Sequence, residues 1–191
     1  MKTINNAKGF TLLEILVTIL IIGVLASFGV VEYQKAIEHS RASQAIALLR
    51  SLYHAEKVHQ LQHGTFADSL DQLDFSFQGD PVTCAQNNNS PCFGYYNTEA
   101  IQNGNWSIEL EKGKNPSISV GRISGPYAGS GFFMQLERKD GIQYPLEQLA
   151  CIENNSGKFK YKKKEGSYCV DIMDGEFYSK SGTSRKYELA F

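Results

Sequence analysis

The sequence predicts an α+β fold: one long N-terminal helix, membrane-spanning in its first half, packed in its second half on a small antiparallel sheet. Three observations predict it. Residues 10–31 form an apolar run whose single charge is Glu14. Residues 37–63 carry apolar side chains at three- and four-residue intervals, the period of a helix face. Beyond residue 105, short and partly alternating runs are separated by Gly, Asn and Pro. The chain has 191 residues, 42% hydrophobic and 20% charged, which suits one ordinary domain and excludes a disordered or collagen-like chain. Lys plus Arg is 19 and Asp plus Glu is 20, so a net charge of −1 exerts no global pull toward nucleic acid.

The N-terminal run is the most informative element. A hydrocarbon core about 30 Å thick needs roughly 20 apolar residues in a helix, and residues 10–31 meet that length. The preceding residues 1–9 are polar and carry Lys2 and Lys8, so this end stays in the cytoplasm and the bulk of the chain is translocated. A cleavable signal peptide has a shorter apolar core closed by small residues; no Ala-x-Ala pattern closes this one. A plain signal anchor fits the length but leaves Glu14 unexplained. A charged side chain at the centre of a membrane helix costs about 2.5–3.5 kcal/mol on insertion scales. Glu14 lies only five residues into the run, so its cost is smaller, and an interfacial carboxylate that snorkels is the bland account of it.

The series Gly9-Phe10-Thr11-Leu12-Leu13-Glu14, after a short basic leader and before an apolar run, resembles the class III signal of type IV pilins and type II secretion pseudopilins. Gly23 and Tyr33 also stand where such pilins commonly have Gly and Tyr. One departure is Val31, where many pilins have a proline that kinks the helix; no proline precedes Pro81, so no sharp kink is predicted. The resemblance implies a type IV pilin-like fold and cleavage between Gly9 and Phe10 by a prepilin peptidase/methyltransferase. Phe10 would become the N-methylated first residue of a mature chain of 182 residues. Within a filament, the resemblance gives Glu14 a partner, the terminal ammonium on Phe10 of a neighbouring subunit, and that pair sets axial register.

The expected function is therefore a structural subunit of a type IV pilus-like filament, with no catalysis and no cofactor. Its implied partners are further copies, other pilins, and an inner-membrane assembly platform with a separate ATPase. It would cross the inner membrane once before assembly, with its domain in the periplasm, and end in a surface pilus or a periplasmic pseudopilus. The alternatives are a secretion pseudopilin, and a minor pilin or anchored module that captures DNA or a surface ligand. Length and the C-terminal cysteines lean toward the pilin.

Residues 32–191 are expected to form the extracytoplasmic domain: helix to about 63, loop over 64–104, sheet and disulfide region over 105–191. On the helix, Ile37, Ala45, Leu48, Leu49, Leu52, Ala55 and either Val58 or His59 form the apolar face. Glu32, Lys35, Glu38, Arg41, Arg50 and Lys57 take the other positions, and Gly64 terminates the helix after His63. Asp68-Ser-Leu-Asp71 predicts a short helix over 69–73. Strands are predicted over 106–111, 117–123 and 131–137, with two more near 144–152 and 168–172, giving three to five in all.

The four cysteines are Cys84, Cys92, Cys151 and Cys169. None forms Cys-x-x-Cys, which disfavours zinc or thioredoxin-like chemistry. An even count in a translocated domain predicts two disulfides, and the residues alone leave three connectivities open. The sequential pairing is preferred: Cys151–Cys169 would be the D-region disulfide of the pilin resemblance, and Cys84–Cys92 would staple an Asn-rich loop. Each bond would add about 2–4 kcal/mol on a loop-entropy model.

Other candidate sites are weaker. His59 and His63 share a helix face with His54 nearby, but no acid or cysteine completes a metal set. There is no Gly-x-Ser-x-Gly elbow and no phosphate-binding Gly-x-x-x-x-Gly-Lys-Ser/Thr loop, so the chain is not itself an ATP motor. The run from Lys158 to Lys164, with Phe159 and Tyr161 interleaved, has the composition of an anion- or DNA-binding strip. A solvated edge on which Lys discourages aggregation is the favoured reading.

Overall fold

The computed structural model describes residues 9–84, 92–93, 99–111, 116–137, 148–154, 161–181 and 184–189. Residues 1–8, most of the expected leader 1–9, lie outside them. The chain forms two compact units, residues 1–40 and 41–191. One helix, α1 (Leu12–His63), contributes to both and runs uninterrupted for 52 residues. No proline breaks it, and each internal glycine costs only about 1 kcal/mol of helix propensity relative to Ala. It ends at Gly64, whose φ of +78° suits a residue without Cβ, and whose N–H donates to the Gln60 carbonyl at 2.8 Å.

In the second unit α1 packs on a sheet. Ala42, Ala45, Ile46, Leu49, Leu52 and Tyr53 are buried at helical spacing, with Leu48 and Ala55 half-buried beside them. Val58 is exposed and His59 half-buried, so the face turns toward His59. Glu56 joins the buried stripe although its type is polar. Glu38, expected among the solvated positions, belongs to the first unit and is buried.

Among the described residues the sheet is wholly antiparallel and has eight strands, not three to five. They are β1 (Asp80–Thr83), β2 (Glu99–Asn103), β3 (Trp106–Glu111), β4 (Ser117–Arg122), β5 (Ser130–Gln135), β6 (Ala150–Glu153), β7 (Glu176–Ser181) and β8 (Ser184–Glu188). Their spatial order is β1-β2-β3-β4-β5-β6-β8-β7. Register places Ile108 opposite Val120, Val120 opposite Phe132, Phe132 opposite Cys151, and Cys151 opposite Tyr187. With Leu110, Ile118 and Met134, these side chains form the face that shares one core with α1. Fully burying each large apolar side chain there stabilises the domain by about 1.5–3 kcal/mol.

Three expectations need correction. The segment 64–104 is not loop throughout, since it contributes β1 and β2. The predicted 69–73 helix is a single 3₁₀ turn, Leu70–Gln72. Ser69 caps that turn without a side-chain hydrogen bond, and the Asp68 N–H instead donates to Gln72 Oε1 at 2.7 Å. Residues 168–172 are not a strand but part of a series of turns, in which the N–H groups of Val170 and Asp171 both donate to the Gly166 carbonyl. Its buried residues Tyr168, Cys169, Ile172 and Met173 repeat at four, not two. Of the predicted 144–152 strand, 144–147 lie outside the described residues and β6 spans the rest.

Candidate functional site

The first turn of α1 is closed by a reciprocal box. The Thr11 amide and hydroxyl both donate to Glu14 Oε2, at 2.8 and 2.9 Å, and the Glu14 amide donates back to Thr11 Oγ1 at 3.2 Å. Thr-x-x-Glu is the local sequence signal for such a box, and it satisfies donors that no helix can satisfy internally. The carboxylate also meets the positive end of the helix dipole. Thr11 is the residue that the sequence reading passed over.

Gly9 and Phe10 stand directly before this box, with Phe10 84% exposed. Beyond it, Leu12, Leu13, Ile19, Leu20, Ile22, Leu25 and Phe28 are each more than half exposed. The best 18-residue window of α1 has a mean hydropathy of 2.5 and none of it is buried, so the helix is long and apolar enough to cross a membrane. Its hydroxyls are satisfied locally: Thr18 donates to the Ile15 carbonyl at 2.8 Å and Ser27 to the Val24 carbonyl at 2.6 Å. A contiguous apolar surface of this extent requires lipid or another apolar helix over it.

The disulfides are Cys84–Cys92 and Cys151–Cys169, with Cα separations of 5.5 and 5.7 Å. Cys151 lies on interior strand β6, and Cys169 lies in the turn series that ends before β7. Buried Glu153 positions those turns. Its Oε2 accepts the Gly166 N–H at 2.7 Å, and its Oε1 accepts the N–H groups of Tyr168 and Cys169 at 3.1 and 3.2 Å. The Tyr187 hydroxyl donates to the same carboxylate at 3.2 Å. Burial, reinforced by the Glu153 charge, pushes the Tyr187 hydroxyl above the usual phenol range; Tyr161 is raised by burial too, partly offset by its bond to Ser167.

The remaining candidates take quieter roles. His59 and His63 stack at 4.3 Å, and their Nδ1 atoms engage the Thr65 and His59 carbonyls at 3.0 and 3.2 Å. His54 sits edge-on to Tyr53 at 5.9 Å. Among the described residues no group of three or more His, Cys, Asp or Glu could hold a metal. Lys158, Phe159 and Lys160 lie outside the described residues. Tyr161 is buried and bonds Ser167 at 2.5 Å, so its ring does not offer a stacking surface. Lys162, Lys163 and Lys164 are exposed, and the Lys163 ammonium lies 4.1 Å from the Tyr127 ring centre.

Comparison with known proteins bears on the first of these sites. Residues 4–30 match the model of the prokaryotic N-terminal methylation motif. The chain is 36% identical over 67 residues to a fimbrial protein of Moraxella nonliquefaciens, covering 35% of this chain and 44% of that protein. It is 30% identical over 69 residues to the type IV major pilin protein PilA of Myxococcus xanthus (strain DK1622), covering 36% of this chain and 31% of that one. The chain thus spans less than half the length of each of these curated relatives. No solved structure matches it. The chain is thus similar to a prokaryotic N-terminal methylation motif over residues 4–30 and, over about a third of its length, to a fimbrial protein and a type IV major pilin.

Proposed function

We propose that this chain is a structural subunit of a type IV pilus-like filament, processed between Gly9 and Phe10 and assembled through the first half of α1. The observation that carries the reading is Glu14. It sits in a helix otherwise bare of charge between residues 10 and 31, five positions into the apolar run and within the matched methylation motif. A copy held alone in a bilayer has lipid over that helix. In a filament, the same faces of neighbouring copies cover one another, and a heterologous contact repeated by one rotation and rise makes an open helical polymer.

The Thr11–Glu14 box supports this role. Both of its side-chain bonds fall on Oε2. Among the described residues nothing donates to Oε1, so a methylated ammonium on a neighbour's Phe10 can reach that oxygen while the helix stays capped. Methylation leaves the nitrogen cationic, and a carboxylate removed from water needs such a partner. The role assigned is structural, and the force for assembly comes from a separate motor. Pilus is favoured over secretion pseudopilus by the C-terminal disulfide region.

The test replaces Glu14 by Val or Ala in the full chain. The expected product is a membrane-inserted, processed monomer that forms no fibres by electron microscopy. Normal fibres from that variant would remove the register role. Mass spectrometry of the wild-type mature protein is expected to show a first residue of methyl-Phe10; an unprocessed Met1 terminus on assembled protein overturns the reading.

A further inference from the structure

The lysines at 162–164 do not lie on a strand, so protection of a sheet edge does not account for them: residues 161–164 are irregular backbone beyond β6. The topology places them at one end of the sheet. β6 ends at Glu153 opposite Ser130, the first residue of β5, and β4 ends at Arg122 opposite Trp106, the first residue of β3. The Tyr161 N–H donates to the Asn154 carbonyl at 2.6 Å, just past the end of β6. The Lys163 ammonium covers the ring of Tyr127, which lies between β4 and β5. The same end of the sheet receives α1. Gln44 and Ala45 line a cavity with Asn103 and Trp106, whereas Gln60, almost five turns on, lines one with Leu110 and Pro116 at the opposite end.

Lys162, Lys163 and Lys164 are all exposed, and the backbone on either side of them is held. Tyr161 is buried, the Ser167 N–H donates to the Lys164 carbonyl at 3.1 Å, and the Gly166 N–H donates to buried Glu153 at 2.7 Å. Among the described residues no carboxylate pairs with any of the three lysines, and the adjacent acid, Glu165, pairs with Arg185. Asp80, the exposed acid that opens β1, lies five strands from β6 in the sheet order, about 24 Å away. Three unneutralised cations thus share one surface. The apolar run ends at Val31 and the second unit begins at Arg41. The residues between, 32–40, span at most about 30 Å even when fully extended. At any angle between the two units, the end of the domain that carries the lysines is tethered close to the point where residues 10–31 leave a bilayer.

We propose that Lys162, Lys163 and Lys164 dock this end of the domain on the anionic phosphate headgroups of the membrane that holds residues 10–31; the proposal rests on reading those residues as a membrane span. Each lysine close to a negatively charged leaflet favours contact about fivefold, so the three together favour it on the order of a hundredfold. An ammonium meets phosphate as a point charge, without the planar fork that would select one headgroup geometry. The surface therefore reads the charge density of the leaflet rather than the identity of a lipid. Nucleic acid fits less well, because a strand-binding strip offers its bases an aromatic face. Tyr161 is buried, and the Tyr127 ring is covered by Lys163. The contact belongs to the membrane-held copy and restricts how the tethered domain turns above the bilayer.

The experiment uses the full chain in vesicles of phosphatidylcholine alone, or of equal parts phosphatidylcholine and phosphatidylglycerol. Trp106, the single tryptophan, lies at the docking end and reports contact through quenching by a headgroup spin-labelled lipid. Quenching is expected to be stronger on the anionic vesicles, and that increment is expected to vanish at high salt. Combining Lys162→Gln, Lys163→Gln and Lys164→Gln is expected to return quenching to the phosphatidylcholine level, whereas the three Lys→Arg replacements keep the increment. Equal quenching on both vesicle types, or an increment that survives the triple Gln replacement, overturns the proposal. So does lysine-dependent binding of a short DNA duplex without any response to phosphatidylglycerol, which would assign the strip to nucleic acid. Flotation with phosphatidylcholine vesicles in alkaline carbonate reports the span by itself. A chain that fails to float removes both readings, and one that floats without an anionic increment loses the docking alone.

Discussion

Glu14 receives two hydrogen bonds from one residue, Thr11, through its amide at 2.8 Å and its hydroxyl at 2.9 Å. Capping and charge are therefore separable at this position. Thr11→Ala removes the hydroxyl arm and the return bond, but leaves the carboxylate. Thr11→Ser keeps both. The expected outcome is faster amide exchange across the first turn of α1 in Thr11→Ala and near wild-type exchange in Thr11→Ser, measured in micelles. Because the charge remains, Thr11→Ala is expected to yield fibres in reduced amount, unlike the Glu14 replacements.

Glu153 is a buried carboxylate that carries four donors, three of them backbone N–H groups from 166, 168 and 169. Glu153→Gln preserves size but presents an amide N–H₂ to donors on one side. Bonds to a charged acceptor are the strong ones, so a loss of about 3 kcal/mol in unfolding free energy is expected from chemical denaturation. The damage should be local in origin: the Cys169 turn loosens first, seen as early exchange of residues 166–173.

The long helix was legible because it is a local object: apolar side chains at a period of 3.6, no proline before Pro81, and a glycine stop. So were β3 and β4, whose predicted and observed limits nearly coincide. The hairpin from β2 to β3 was not predicted, although its two-residue loop Gly104-Asn105 is a turn signal and Gly104 adopts a φ of +55°. Residues 168–172 were misread. Their Tyr, Val and Ile favour a strand in isolation, but Glu153, some fifteen residues earlier, captures their N–H groups. Of the N-terminal site, the spacing of Gly9, Phe10 and Glu14 is written in the chain. The packing of the Phe93 ring on Gly121 and Gly131 is not, because it depends on those glycines becoming neighbours across two strands.

Gly121 and Gly131 face each other across β4 and β5 against the Phe93 ring, so Gly121 has no room for a side chain. Gly121→Ala places a methyl inside the Phe93 ring, and the backbone of an interior strand cannot withdraw. Overpacking of this kind costs about 1–3 kcal/mol. Adding Phe93→Ala should restore much of the loss, since the intruding methyl then has room. A thermodynamic cycle on the two variants should thus show a coupling of opposite sign to the single effects. Additive losses would mean that the ring and the glycine do not meet.

Glu56 provides a pH signature distinct from all of these. It is fully buried on α1, and its Oε2 accepts the Ala67 N–H at 3.1 Å while Oε1 has no hydrogen-bond partner among the described residues. Burial raises its pKa above the ordinary 4.5, against smaller lowering effects from the Ala67 bond and from His59. A raised carboxylate pKa favours the folded state when protonated. Its contribution is therefore fully present below about 4.5 and is lost as pH rises through the higher folded-state value. Glu56→Gln keeps an oxygen for Ala67 and carries no charge at any pH. Its melting temperature is expected to exceed that of the wild type at pH 7, and the difference is expected to disappear near pH 4. The Ala67 contact alone would give a pH-independent difference, so paired melts at the two pH values separate the charge from the hydrogen bond.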